Sequence, residues 1–340
     1  MTMDEEKITN TIEIGEDRHN NAGLRPLYLD GYVGQKSVVN NIKVYIEAAK
    51  RNDRQLDHLL LAGPPGLGKT TLSQIVANEM DVNIVVTSGP AIDKKGDLAG
   101  LLTSLKEKDV LFIDEIHRLN ASIEESLYSA MEDFYFDIML GEGAHAKSMR
   151  LPIEPFTLIG ATTKTGSLSS PLRSRFQIIF RMDYYSVDEL KEIVKRSSRI
   201  LDIETNPDGA LEIAKRSRGT PRIANRILKR IRDFAQIKGD GTIDLKIAKY
   251  ALDQMEIDED GLDQMDRTIL LTIIDSFNGG PVGIEAIAAS VSEEKRTLEE
   301  VYEPYLIKSG FIARTQKGRI ITNKGLDKFG IEKSAQRSLF

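Results

Sequence analysis

Two clusters of side chains in this sequence are spaced for phosphate chemistry. The first is Gly63-Pro64-Pro65-Gly66-Leu67-Gly68-Lys69-Thr70, which fits G-x-x-x-x-G-K-[ST], the phosphate-binding P-loop. Its glycines let backbone N–H groups close around phosphate oxygens, and the helix that follows adds the positive end of its dipole. The Lys69 ammonium can reach the outer phosphates of a nucleotide, and the Thr70 hydroxyl can hold Mg²⁺. The second cluster, about 45 residues on, is Asp114-Glu115 at the end of the apolar run Val110-Leu111-Phe112-Ile113. There one acid can coordinate Mg²⁺ through water and the next can take a proton from an attacking water. Strand-end acid pairs are common alone. Downstream of a P-loop, this one completes the minimum set for a Mg²⁺-dependent NTPase.

Other residues extend the set. Phe156 to Thr163 is an apolar run that ends in hydroxyls able to sense a γ-phosphate or position water. Ser169 to Phe176 carries Arg173 and Arg175, and Gly219-Thr220-Pro221-Arg222 puts proline in the first turn of a helix with an arginine beside it. One chain could supply Arg175 and Arg222 to its own nucleotide. Alternatively Arg175 could reach a neighbour's nucleotide, which requires a ring or filament, and the residues leave both open. A metal role for His117 needs partner ligands, and the three other histidines lie elsewhere in the sequence, so it reads as structural or coupling.

The elements that must position these groups alternate. Apolar runs at Leu59–Ala62, Val82–Thr87, Val110–Glu115, Phe156–Thr163 and Gln177–Phe180 are separated by helical spacing, as in Leu72, Ile75 and Val76. The pattern predicts an α/β fold, a doubly wound parallel sheet with its ligand at the carboxyl ends of the strands. Two interruptions stand out. Leu24 to Gln35, ahead of the P-loop, can wrap a nucleotide base or serve as a plain N-terminal packing arm. Phe134 to Ile153 breaks the helical pattern and reads as an inserted hairpin whose apolar residues lie far from any obvious core. From Ser186 the strand signal stops and four helices follow to about Met255, a small all-α lid. After the acidic linker Asp258-Glu259-Asp260-Gly261, three helical segments and two short strands around Lys317-Gly318 make a winged helix. The expected division is a flexible lead-in at 1–23, a large ATPase domain at 24–184, a helical lid at 185–257 and a winged head at 258–340.

The bulk properties exclude several classes. The 340 residues carry net charge −6 and no cysteine, so disulfides and thiolate zinc sites are out. No apolar run approaches the ~20 residues of a membrane span, and the acidic start has no secretory pattern, which makes a cytoplasmic location the expectation. The charge reverses late: from Tyr305, Lys308, Arg314, Lys317, Arg319, Lys324, Lys328, Lys333 and Arg337 stand against Asp327 and Glu332. On a winged helix that is a local nucleic-acid footprint. Three phosphate contacts give a salt slope of only about −2.7, so one head binds duplex weakly and repetition around a ring would supply avidity.

The ordered series of motifs resembles the RuvB family of AAA+ ATPases over about Arg25 to Gly330. It is carried by Arg25-Pro26 with Tyr32-Val33-Gly34-Gln35, Gly63 to Thr71, Leu111 to Leu119, Gly160 to Thr163, Ser170 to Phe176, Gly219 to Asn225 and Glu303-Pro304-Tyr305-Leu306 with Gly310-Phe311. The resemblance implies an AAA+ P-loop domain, a lid and a winged-helix head. It implies a homohexameric ring around double-stranded DNA that uses ATP and Mg²⁺ to drive branch migration at Holliday junctions, in recombination, repair and the SOS response. It places Leu24, Arg25 and Tyr185 at the base or ribose, Gly66, Lys69, Thr70 and Thr71 at phosphates and Mg²⁺, and Glu132, Asp133 and Phe134 near nucleotide across the pocket. Thr163 and Arg222 become sensors, and Arg175 a finger given to the neighbouring subunit. The hairpin becomes the docking surface for RuvA, RuvC joins the complex, and Lys295, Arg314 and Arg319 become DNA contacts. Ser174 stands where the family usually has Asp, Gln177 where Gly is usual, and Lys295 where Arg is more frequent. Clamp-loader and nucleotide-switched regulator readings share the core, but the winged tail argues against a collar, and Glu115 with Arg175 argues for turnover.

Overall fold

The structure, a computed structural model, describes residues 22–140 and 147–331. Most of the expected lead-in, the tip of the hairpin, and Lys333 and Arg337 lie outside the described residues. The chain divides into two compact units, Leu24–Tyr185 and a second running from Ser186 onward.

The first unit is built on a parallel sheet of five strands: β1 (Leu59–Ala62), β2 (Ile84–Ser88), β3 (Val110–Asp114), β6 (Thr157–Thr162) and β7 (Ile178–Arg181), in the order β2-β3-β6-β1-β7. All of β1 and β6 is buried, as near-continuous apolar runs require when both faces of a parallel sheet are covered. Leu59, Leu60 and Leu61 are each fully buried, worth about 2 kcal/mol apiece. Register aligns the carboxyl ends. Ala62 pairs with Thr162, Ala62 also with Arg181, and Ser88 with Asp114. The covering helices in this unit are α1 (Lys36–Arg51), α2 (Lys69–Met80), α3 (Lys95–Thr103), α4 (Ala121–Glu132) and α5 (Ser170–Arg175).

The hairpin is present as β4 (Tyr135–Leu140) and β5 (Lys147–Pro152), paired among the described residues with each other alone. Its relation to the core corrects the expectation. Phe136 and Ile153 are buried in a hydrophobic core cluster of this unit, and Phe134 and Ile138 pack against it. The period-2 pattern shows alternation but not which residues sit near the base, and the base is core.

A buried histidine, missed in the sequence, ties the sheet to α4. The Leu158 N–H donates to His58 Nδ1 at 2.9 Å, which leaves the proton on Nε2 to donate to Met131 O at 3.0 Å. Burial holds this imidazole below its ordinary pKa.

The second unit begins with four helices, α6 (Val187–Ile200), α7 (Pro207–Arg216), α8 (Pro221–Lys238) and α9 (Leu245–Gln254). Its head follows with α10 (Gln264–Asp275), α11 (Ile284–Val291), α12 (Lys295–Thr297), α13 (Glu303–Lys308) and α14 (Asn323–Asp327). Between α12 and α13 the turn Leu298–Tyr302 widens to a π-helix just ahead of Glu303-Pro304, whose proline has no N–H to give the α ladder. The wing is β8 (Ile312–Thr315) and β9 (Gly318–Ile321), with Val282 bridged to Arg319 as a third edge. Gly318 is obligatory there: its φ is +137° and a Cβ would stand 2.4 Å from Val282 O.

The acidic segment between lid and head is no solvated tether. Asp258 Oδ1 accepts from the Asp260 and Leu262 amides at 3.0 and 2.9 Å, and Lys328 pairs with Asp258 at 2.9 Å and with Asp260. Beneath it the Arg218 side chain is 1% exposed. Its Nε donates to Gly261 O at 2.8 Å and its Nη2 pairs with Asp266 and, at 3.4 Å, with Asp263. Asp263 and Asp266 cap α10 reciprocally. Burial pushes the Asp266 carboxyl up to about 7, and the Arg218 charge is the main force opposing that rise.

Two outcomes follow. Because folded His58 refuses a proton that the unfolded chain accepts, stability should fall as pH drops below the ordinary histidine value of 6.5. Urea unfolding at several pH values should show that loss in the wild type and a shallower one in His58→Gln. Arg218→Met strands Asp266 and should cost roughly 3–5 kcal/mol, whereas adding Asp266→Asn, which keeps the cap acceptor without the charge, should recover much of it. Denaturant midpoints of the single and double variants check this, and an additive double would refute the pairing.

Candidate nucleotide and hydrolysis site

The P-loop runs from β1 to α2 across the carboxyl edge of the sheet. Its path depends on glycine. Gly63, Gly66 and Gly68 have φ of +154°, +82° and +93°, and a Cβ on Gly63 would lie 2.5 Å from Met182 O. The Gly63 amide donates to Thr162 O at 3.0 Å, locking the loop to β6. Lys69 opens α2 and is 8% exposed, and its Nζ donates to Gly63 O and Pro64 O at 2.8 Å each. Thr70 and Thr71 occupy the same first turn, half-buried. A glycine cradle, a buried ammonium and a hydroxyl at a helix start fit a polyphosphate with a hard cation. Among the described residues no group of three or more acidic, histidine or cysteine ligands could hold a metal ion by itself. That suits Mg²⁺, which keeps waters and phosphate oxygens and takes few protein ligands.

Asp114 ends β3, one strand beyond β6, and its Oδ1 accepts the Glu115 N–H at 2.9 Å. Glu115 has φ +48°, a left-handed conformation that costs a non-glycine residue energy. Gly89 makes room for that turn, since a Cβ on it would stand 2.5 Å from Glu115 O. The Glu115 carboxylate is held by Arg118 at 2.8 Å. Thr163 follows the last residue of β6, so Gly63, Asp114 and Thr163 share one edge. His117, read as structural or coupling, shares a hydrogen bond with Thr162 Oγ1 at 3.0 Å and so ties the turn after Glu115 to β6.

The segment ahead of the P-loop is clasped to it. At the far end of α2, the Asn78 amide donates to Leu27 O at 2.8 Å and Glu79 Oε1 accepts from the Leu29 N–H at 2.9 Å. Gln35 brackets the Asp183 peptide. Tyr185 is 6% exposed, donates to Leu67 O at 3.2 Å and meets the Tyr32 hydroxyl at 2.9 Å. Burial pushes the Tyr32 hydroxyl up to about 12. Leu24 is buried and Arg25 half-buried at the start of this segment. Through Tyr185, Tyr32 is tied to the P-loop.

The remaining expected residues fall in separate groups. Arg175, at the end of α5, pairs with Glu132, at the end of α4, at 2.9 Å, and its Nη1 donates to Pro171 O at 2.9 Å. Asp133 and Phe134 adjoin Glu132. Arg222 lies in the first turn of α8, in the second unit. In the head Arg314 is exposed on β8, and Lys295 is exposed but paired with Glu285 at 2.7 Å. Arg319 departs from the picture of an available DNA contact. It is 7% exposed, and its Nε and Nη2 donate to the two carboxylate oxygens of Glu303, at 2.7 and 3.1 Å.

Comparison with known proteins agrees with this layout. Residues 24–182 match the P-loop domain model of the Holliday junction DNA helicase RuvB, residues 185–258 the RuvB AAA lid domain, and residues 259–330 the RuvB C-terminal winged-helix domain. The chain is 52% identical to Thermotoga maritima RuvB, described as a Holliday junction branch migration motor. That alignment covers 92% of this chain and 100% of the other, with TM-score 0.84. Two single-residue variants of the Thermotoga protein align at 53% identity with TM-score 0.85, covering 92% and 91% of this chain and 99% and 100% of theirs. With a P-loop ATPase domain, its lid and a winged head each matched in order, this chain belongs to the RuvB family of Holliday junction DNA helicases.

Proposed function

We propose that this protein is an ATP-driven motor that pumps duplex DNA through Holliday junctions, as a homohexameric ring working with RuvA and RuvC. One observation carries the reading: a single chain joins hydrolysis groups aligned on one sheet edge to a winged head fastened to the lid. In this reading the loop amides and Lys69 hold the outer phosphates of ATP, and Thr70 with Asp114 holds Mg²⁺. The bound nucleotide supplies a phosphoanhydride whose cleavage needs charge stabilisation and a positioned water. Glu115 accepts the proton of that water once it leaves Arg118, and Thr163 orients beside it. Arg222, on the lid, is the second sensor, and Arg175 serves the neighbouring subunit. Tyr185, Leu24 and Arg25 hold the base and ribose. The hairpin β4–β5 is the RuvA surface, a reading supported by its pairing with no other strand and by Met149, which is 41% exposed. Cytoplasmic work on DNA is consistent with the absence, among described residues, of any helix long and apolar enough to cross a membrane.

The first test is migration of a synthetic four-way junction with ATP and Mg²⁺, with and without RuvA. Migration should require ATP and rise with RuvA, and Glu115→Gln should lower turnover by about 10²–10⁴-fold while binding nucleotide. DNA-stimulated hydrolysis with no migration would point instead to a switch or loader.

The head gives a second test, because its arginines differ in burial. Arg314→Ala should leave the melting temperature unchanged and make the salt slope of duplex binding shallower by about 0.9. Arg319→Ala should instead destabilise the head, since it leaves Glu303 buried without its cation. Equal loss of slope from a stable Arg319 variant would restore it as a phosphate contact.

A further inference from the structure

Arg175 is gripped by more than its ion pair. Its guanidinium carbon lies 4.3 Å from the centroid of the Tyr128 ring. With Nη1 on Pro171 O and Nη2 on Glu132, the group is fixed at both ends while the ring covers its face. Its Nε is buried and has no hydrogen-bond partner among the described residues. A buried orphan donor is costly, and a cation held against a π-face is one arrangement that offsets the cost.

The ring is itself anchored. The Tyr128 hydroxyl donates to Glu124 Oε1 at 2.8 Å and lies 3.2 Å from Ser169 Oγ, and Ser169 also bonds Glu124. Ser169 is the N-cap of α5 and accepts from the Leu172 amide at 3.2 Å. The same serine therefore fixes the ring and starts the six-residue helix that ends in Arg175. Nothing in that chain of contacts neutralises the arginine. The pair with Glu132 does, and it must be exchanged when Arg175 meets a phosphate, whereas contact with a ring face persists through that exchange.

We propose that Tyr128 is a positioning residue for Arg175: its ring holds the guanidinium in the orientation presented to the nucleotide of a neighbouring copy of this chain. The inference rests on the reading of Arg175 as a finger given in trans. A long arginine side chain otherwise carries much rotamer freedom into each encounter, and a ring set by Glu124 and Ser169 removes it beforehand.

The experiment compares Tyr128→Leu, Tyr128→Phe, Arg175→Ala and the Leu–Ala double variant in steady-state ATPase with DNA. Tyr128→Leu should lower kcat about tenfold with little change in KM, the size of a partly desolvated cation–π contact. Tyr128→Phe, which keeps the ring, should stay within about threefold of wild type. In the Arg175→Ala background Tyr128→Leu should add less than about twofold, because a residue that acts through Arg175 has nothing left to act on. Mixing Tyr128→Leu subunits with Lys69→Ala subunits, whose fingers are intact, should restore turnover in part. A readout independent of turnover is the Nε–H resonance of Arg175 in ¹⁵N-arginine-labelled protein, identified by its loss in Arg175→Ala. The ring should shift it in wild type and Tyr128→Phe, and Tyr128→Leu should return it to the ordinary arginine position. If Leu at 128 prevents folding, Tyr128→Met takes its place in every arm. Undiminished loss in the Arg175→Ala background, or an unmoved resonance, overturns the proposal. If Arg175→Ala alone leaves turnover intact, the finger reading fails and takes the proposal with it, while the resonance still reports whether the ring contact exists.

Discussion

The constraint on which the site depends is the register of β1 between β6 and β7. The Gly63 amide on Thr162 O and the Met182 amide on Ala62 O extend the ladder one step past the strand ends on both sides of the P-loop. That extension brings the loop so close to Met182 that no side chain fits at Gly63. It also fixes where Thr163 stands, and through β6 and β3 where Asp114 and Glu115 stand. A slip of one residue would turn every side chain of the strand to the other face. The P-loop glycines and the residues proposed as metal-side carboxylate and sensor hydroxyl are thus positioned by backbone pairing, with little asked of flexible side chains.

The second unit solves a different problem, joining a helical lid to a head without a loose hinge. Its answer is a buried cation. Arg218 sits immediately before Gly219-Thr220-Pro221-Arg222, and its guanidinium is anchored in the head by Asp266, Asp263 and the Gly261 carbonyl. Tyr305 lies across the same guanidinium at 5.0 Å. A buried ion pair adds little net stability, because desolvation consumes most of the Coulombic gain. It does penalise every arrangement in which the partners separate. The segment that carries the lid arginine and the module that carries the wing are therefore held in one geometry by residues adjacent in sequence to the arginine itself.

The sequence made the architecture legible because fold and motif there share one cause. Continuous apolar runs mark strands buried on both faces, and glycines at fixed offsets mark a loop that must take left-handed φ. Lys69, Thr70, Asp114 and Glu115 follow from that frame. What was not legible depends on contacts between distant segments. His58 is an unremarkable residue until the Leu158 amide and Met131 carbonyl are seen on its two nitrogens. Asp258 to Gly261 has the composition of a solvated linker, and only the arrival of Lys328, about 70 residues later, shows it to be a joint. Tyr128 touches Arg175 by way of the fold, and no local spacing announces it. Arg319 shows the converse. Its type and position on a wing suggest a phosphate contact, while Glu303 sixteen residues earlier already occupies its guanidinium.

Four of the charged residues in the proposed chemistry have an ion-pair partner inside their own chain. Glu115 is with Arg118, Arg175 with Glu132, Lys295 with Glu285, Arg319 with Glu303. Burial decides which of these can change partner. The Glu115, Arg175 and Lys295 pairs are each exposed on at least one side, where an ion pair is worth about 0–1 kcal/mol. A phosphate dianion or Mg²⁺ can outcompete attractions of that size, so these groups are stored rather than consumed. The Arg319–Glu303 pair has both side chains under a tenth exposed, and removing either partner would leave a buried charge. Exposed pairs are therefore the ones a nucleotide or DNA can exchange, and the buried pair holds the wing in shape for the residues beside it.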